Sequence, residues 1–263
     1  MNVFYKVYTD VGGRSVNEDA VGVLERNGEY FFVLADGLGG HGKGEVASEV
    51  AVKAALDQFV AITPDSLRDA DQTAGSVNGI ADHFPEGAFT AAQEAVLNAQ
   101  KTGFEFSDMK TTLVVLWLSD GQARWGHIGD SRLYYFQDEK LKGRTLDHSV
   151  PQMLVNTGEI SEKEIRFHED RNRLLRVIGA EWGRHAYDLS DAVDMKDGQA
   201  FLLCSDGFWE LIDEKEMQKE LKNASSVEEW MDSMISIVRG RMENGKPGSE
   251  ADNNSAIAVW ITR

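Results

Sequence analysis

The chain has 263 residues and a formal net charge of −17, which is length enough for one large domain or two small ones with a full core. That charge argues against a nucleic-acid backbone or an anionic membrane as partner, whereas clustered acids suit divalent cations. The single Cys204 rules out intramolecular disulfides and fits a reducing cytosol. No apolar run approaches the roughly 20 residues needed to span a bilayer. Met1-Asn2-Val3-Phe4-Tyr5-Lys6 lacks the basic-then-apolar order of a signal peptide, so a soluble, cytoplasmic protein is expected.

Val3 to Thr9 alternates as a strand and leads into Arg14-Ser15-Val16-Asn17-Glu18-Asp19. A second strand, Ala20 to Glu25, turns at Asn27-Gly28, a strong hairpin signal between two apolar runs. The run from Tyr30 to Ala35 is aromatic and β-branched, as a buried strand is. It ends in Asp36-Gly37-Leu38-Gly39-Gly40-His41-Gly42-Lys43-Gly44, which feeds a helix over about Glu45 to Ala61 with apolar residues at helical spacing. The hairpin register can set Glu18 and Asp19 beside Asp36, and Arg14 is then a cation able to grip a phosphate bidentately.

Two phosphate-loop patterns nearly match this stretch. Gly37-x-Gly39-x-x-Gly42 satisfies the dinucleotide fingerprint, but no second strand ending in an acid follows at the required distance, since Asp57 lies inside the helical stretch. Gly37-x-x-x-x-Gly42-Lys43 resembles a P-loop whose magnesium-holding Ser or Thr is replaced by Gly44.

Thr63 to Gly87 reads as a polar loop with room for a short helix, and a helical pattern resumes from Ala88 to about Gln100. The strands Thr111 to Leu118, Gln122 to Ile128 and Leu133 to Phe136, joined by tight turns, predict an antiparallel meander, with Gly129-Asp130-Ser131-Arg132 at the second turn. That argues against a parallel nucleotide-binding sheet. Leu146 to Ala180, beginning Asp147-His148-Ser149, reads as a surface excursion of short helices. Gln199 to Leu203 is a buried strand leading to Cys204-Ser205-Asp206-Gly207. Helices over about Asp213 to Leu221 and Val227 to Met242 follow, the second with Trp230, Met234, Ile237 and Val238 on one face. Ala251-Asp252-Asn253-Asn254 introduces a closing strand, Ser255 to Ile261. No repeat or linker divides residues 1–263, which predicts a single domain.

Asp36, Asp206 and Asp252 thus each stand in a tight turn at a strand end, and Asp130 makes a fourth. Carboxylates gathered at one end of a sheet repel one another unless cations sit among them, and all-oxygen sites suit magnesium or manganese. Two such ions can present a hydroxide at neutral pH.

In these motifs the chain resembles the PP2C or PPM metal-dependent protein serine/threonine phosphatases in their compact bacterial form. The six that carry the likeness come in family order: Arg14 to Asp19, Ala35 to His41, Gly129 to Arg132, Asp147 to Ser149, Ser205 to Gly207 and Asp252-Asn253. The resemblance implies an α+β fold, a four-layer α/β/β/α sandwich with two central antiparallel sheets, and a flap subdomain at about 146–180. It implies two Mn²⁺ or Mg²⁺ ions, with Asp36 bridging both, Asp206 and Asp252 completing the first site, and the Gly37 carbonyl contributing to the second. Glu18 and Asp19 would support that second site, largely through water. Asp130 with Asp206 resembles the third, weaker ion site of bacterial members, and Arg14 resembles the substrate-phosphate anchor.

The implied reaction is in-line attack of a metal-bridging hydroxide on phosphoserine or phosphothreonine, in proteins phosphorylated by a cognate serine/threonine kinase, by a monomer with no phosphoenzyme. Cys204 has no phosphate loop after it, so a buried strand thiol is expected rather than a nucleophile. Leu38 stands where many eukaryotic members have a histidine proposed as general acid, which leaves protonation of the leaving group unassigned. His41, His127 and His148 are expected in structural roles; Arg166, Arg171 and Arg173 could help to select substrate or be solvated surface, the latter being the commoner case. The competing classes are a catalytically silent regulatory module of the same fold and a hydrolase of small phosphorylated metabolites.

Overall fold

The computed structural model describes residues 1–38, 43–61, 84–243 and 251–263. Gly39, Gly40, His41 and Gly42, most of the expected loop from Thr63, and the glycine-containing run 244–250 lie outside the described residues.

Strand β1 (Asn2–Asp10) precedes the hairpin of β2 (Asp19–Arg26) and β3 (Glu29–Leu38). Asn27 and Gly28 take positive φ, 54° and 81°, the backbone that lets a two-residue turn match strand twist. Helices α1 (Gly44–Ala61) and α2 (Glu86–Gln100) pack together. After them come β4 (Lys110–Thr111), β5 (Leu113–Ser119), β6 (Gln122–Ile128), β7 (Arg132–Gln137) and β8 (Lys140–Arg144). Next are α3 (Val150–Thr157), a 3₁₀ turn at Glu162–Phe167, the two-residue strands β9 (Asp188–Leu189) and β10 (Val193–Asp194), and β11 (Gln199–Cys204). The chain closes with a one-turn helix α4 (Asp206–Trp209), α5 (Glu214–Asn223), α6 (Val227–Glu243) and β12 (Asn254–Thr262).

The strands form two antiparallel sheets. One has the order β1, β12, β11, β7, β8; the other β10, β6, β5, β3, β2, with β4 paired to β3 and β9 to β6. Side chains alternate faces along a strand. Phe32 and Leu34 therefore join Val114, Leu116, Phe201, Leu203, Ile257 and Val259 between the sheets. Phe31, Val33 and Ala35 point the other way, onto Ala47, Ala51 and Phe59 of α1 and Phe89 of α2. Ala200, Leu202, Ala256 and Ala258 meet Met217 of α5 and Trp230, Met234 and Val238 of α6. The result is the expected α/β/β/α order of layers. Strands covered on both faces are apolar along their middles, which is why residues 31–35, 113–118 and 200–204 of β3, β5 and β11 read as unbroken apolar runs. Each large side chain so buried contributes about 1.5–3 kcal/mol, and a one-residue slip would exchange every inward and outward face.

Two expectations need correction. The stretch Thr111 to Leu118 is broken at Thr112, whose N–H leaves the ladder and donates to the Asp36 carbonyl at 2.9 Å. The meander also stops at β6: β5 and β6 pair as expected, but β7 pairs with β11 and β8 in the other sheet. Gly129, at φ 100°, turns the chain across the gap, and a Cβ there would lie 2.6 Å from the Thr112 side chain. The excursion after Leu146 is built of short helices as expected, and it buries Ile165 against the α5 and α6 core.

Candidate active site

The β2–β3 hairpin register sets Asp19 directly opposite Asp36. Asp36 lies two residues inside β3 rather than at its tip. Its backbone is pinned: the N–H donates to Thr112 Oγ1 at 2.9 Å and the carbonyl accepts from Thr111 Oγ1 at 2.8 Å. Gly37 donates its N–H to the Glu18 carbonyl at 3.0 Å. A Cβ on Gly37 would stand 2.2 Å from the Gly44 carbonyl oxygen, so only glycine lets the start of α1 return this closely. There the start of α1 meets the Glu18 carboxyl, which burial and then the Glu45 charge push above the usual carboxylate range.

Three other segments bring acids to the same end of the sheets. Asp206 is the first residue of α4, Asp252 lies just before β12, and Asp130 occupies the crossing between β6 and β7. Asn253 ties the Arg14 loop to them. Its amide donates to the Val11 and Val16 carbonyls at 2.8 and 3.0 Å, and its oxygen accepts the Glu18 N–H at 2.8 Å. Arg14 Nη2 then donates to Asp252 Oδ2 at 3.0 Å, with both side chains partly open to solvent. A cleft of about 370 Å³ opens over these groups, lined by Arg14, Asp206, Asp252, Arg171, Glu210 and Met242.

The family profile of protein phosphatase 2C matches residues 11–246. The chain belongs to the protein phosphatase 2C family. It is 34% identical over 223 residues to the serine/threonine phosphatase stp of Listeria monocytogenes, covering 84% of each chain. The crystal structure of the serine/threonine phosphatase Stp1 from Staphylococcus aureus shares the fold, with a TM-score of 0.82 at 24% identity over 100% of this chain and 96% of that one. The catalytic domain of the serine/threonine phosphatase PstP, solved in complex with two manganese ions, is 26% identical with a TM-score of 0.76, covering 99% of both chains.

In this PP2C chain the carboxyls disfavour their own charge. Burial, then Asp206, Asp19 and Asp130, push Asp36 well above the usual carboxylate range. Burial and then Asp206 do the same to Asp130. Burial pushes Asp19 up to about 7, and burial with Asp252 pushes Asp206 up to about 6. Asp36 and Asp206 bear directly on one another's ionisation, so without a cation the site favours holding protons on its buried carboxyls. Asp19 Oδ2 accepts from Ser205 Oγ at 2.8 Å, whereas its buried Oδ1 has no hydrogen-bond partner among the described residues. Hard oxygen donors, mutual repulsion and a buried lone acceptor all fit divalent cations with their bound water.

These shifts fix a pH dependence. Each folded pKa lies above its unfolded value, so between about pH 4 and pH 7 the native state holds protons that the unfolded chain has released, and stability falls as pH rises. The thermal midpoint of the metal-free protein is expected to drop from about pH 5 to about pH 8, and magnesium to flatten that fall. A metal-free midpoint that climbs across this window would contradict the repulsion described.

Other residues stand differently from expectation. Asp206 opens a helix turn rather than sitting in a simple turn. Arg166 is not solvated surface: it donates to Glu214 at 2.7 Å and to the Ile212 carbonyl at 3.2 Å. Arg171 pairs with Glu210 at 3.3 Å and faces the cleft. Burial and then Asp206 push Glu210 up to about 7. Glu210 carries no sequence signal, since it lies three residues beyond Ser205-Asp206-Gly207 at the end of a single helical turn that has no periodicity to reveal it. Cys204 is a buried free thiol, pushed up by burial.

His127 and His148 stack with centroids 4.5 Å apart, and His148 Nε2 lies 3.1 Å from Asp188 Oδ2. With Asp188 they have the donor set of a metal site. The tautomer argues otherwise: His148 Nδ1 accepts the Gly129 N–H at 3.2 Å, so its proton is on Nε2 and directed at Asp188. His127 Nε2 faces the Leu146 carbonyl at 2.7 Å, and burial, with the His148 ring stacked on it, lowers its pKa to about 4, keeping it neutral.

Proposed function

We propose that this metal-dependent protein serine/threonine phosphatase works through ions held by Asp36, Asp206 and Asp252 with the Gly37 carbonyl, supported by Glu18 and Asp19. Convergence of acids from four chain segments around the lone Oδ1 of Asp19 carries this reading. Divalent cations, when bound, supply a Lewis acid and a water acidic enough to ionise near neutral pH.

The chain's own groups do the rest. Asp36, held at N–H and carbonyl by Thr112 and Thr111, would supply a carboxylate ligand to the ions. Arg14, steadied by Asp252 and by the Asn253 tie on its loop, grips the phosphate of the substrate at the cleft rim. Arg171, held by Glu210, adds a second positive group facing the same cleft. Asp130 and Asp206 form a third, weaker site. The segment 146–180 serves as the flap of a single domain spanning residues 1–263. The phosphatase acts in the cytoplasm, as a monomer, on phosphoserine and phosphothreonine placed by a serine/threonine kinase.

Phosphate release from a phosphothreonine peptide is expected with manganese or magnesium and is expected to vanish with chelator, returning when the ion is restored. Release that survives chelation, or none with either ion, would overturn the proposal.

A further inference from the structure

Helix α4 carries Asp206 at one end and Trp209 at the other. The Trp209 indole N–H donates to the Asp130 carbonyl at 3.0 Å. Among the hydrogen bonds of the described residues, this is the one that joins the Asp130 peptide directly to α4. Its neighbours are tied elsewhere: Gly129 to His148 and Ser131 Oγ to Thr112 Oγ1 at 2.7 Å. Trp209 is itself immobilised. The Arg132 guanidinium lies 3.4 Å above the ring centroid and Arg166 5.2 Å from it. Arg132 is forked onto Asp147 at 2.8 and 2.7 Å, and Arg166 is held by Glu214. Two like charges such as Asp130 and Asp206 drift apart unless their backbones are fixed, and the indole supplies that fixation from the helix turn bearing one of them.

We infer that Trp209 is a positioning residue: through its N–H it sets the spacing of Asp130 and Asp206, and with it the affinity of the third ion site. The inference rests on the assignment of that pair to a third ion in the preceding section. Trp209→Phe keeps an aromatic ring beside the two guanidinium groups and removes the donor, so it separates positioning from packing.

The test titrates the full chain with manganese, counting free ion by its paramagnetic resonance, in wild type, Asp130→Asn and Trp209→Phe. The weak class of sites is the one that Asp130→Asn removes. Trp209→Phe is expected to weaken that class about five- to tenfold, the worth of one neutral hydrogen bond. The tight sites stay unchanged, and so does KM for phosphopeptide at saturating ion. Wild-type affinity for the weak ion in Trp209→Phe overturns the inference while sparing the third-ion assignment. A wild type with no weak class sensitive to Asp130→Asn overturns both. Should the phenylalanine variant not fold, the indole N–H resonance of Trp209 in wild type decides. It must move in the weak phase of a magnesium titration, and a stationary resonance overturns the inference.

Discussion

Asp36→Asn is expected to abolish phosphatase activity while making the metal-free protein more stable. The two effects have one origin. Asp36 stands among Asp19, Asp130, Asp206 and Asp252, all of which raise its pKa. An asparagine keeps the shape and removes one charge from that group. Without cations, this relieves repulsion, so the thermal midpoint at neutral pH rises. With cations, the variant lacks a carboxylate proposed as their ligand. A loss of several kcal/mol in the transition state corresponds to about a thousandfold or more in kcat/KM. Asp206→Asn should behave likewise. Asp252→Asn should lose activity with a smaller gain in stability, because the relief it gives Asp206 is offset by the loss of its pair with Arg14. Melting curves and phosphopeptide kinetics on the same preparations decide it: an Asp36→Asn protein that is inactive and less stable at neutral pH would mean a folding defect and not a lost ion ligand.

The acids were legible in the sequence because each sits in a local signal. Asn27-Gly28 fixes the hairpin register, which places Asp19 opposite Asp36, and glycine follows both Asp36 and Asp206 where backbones approach closely. A Cβ on Gly207 would meet the Asn253 carbonyl at 2.1 Å, so that glycine records a contact with the loop bearing Asp252. What the sequence concealed depends on distant partners. Gly129-Asp130-Ser131 looks the same whether the next strand stays in its sheet or crosses to the other. Arg166 reads as surface until Glu214, 48 positions away, is found against it. Trp209 and Glu210 follow a recognised motif by a few residues, yet their roles come from one helical turn that points the first at Asp130 and the second into the cleft.

Arg132→Met is expected to cost about 3–5 kcal/mol of folding stability, the penalty for stranding a buried charge. The side chains of Arg132 and Asp147 are 2% and 1% exposed, and they meet through two parallel hydrogen bonds of 2.8 and 2.7 Å. Arg132 also donates to the Tyr134 hydroxyl at 3.0 Å and covers Trp209. Its loss leaves Asp147 with Arg144 at 3.7 Å as a poorer counterion, which pulls the cost toward the lower end of the range. For a chain of this size the thermal midpoint should fall by roughly 10 °C. Arg132→Met combined with Asp147→Leu should recover most of that loss, because a buried ion pair replaced by apolar groups of similar volume is often neutral. Recovery would show that stranding the charge causes the damage. If the double variant is as unstable as the single one, the pair contributes through its hold on Tyr134, Trp209 and the turn bearing Asp130, and activity at saturating manganese should then fall along with stability.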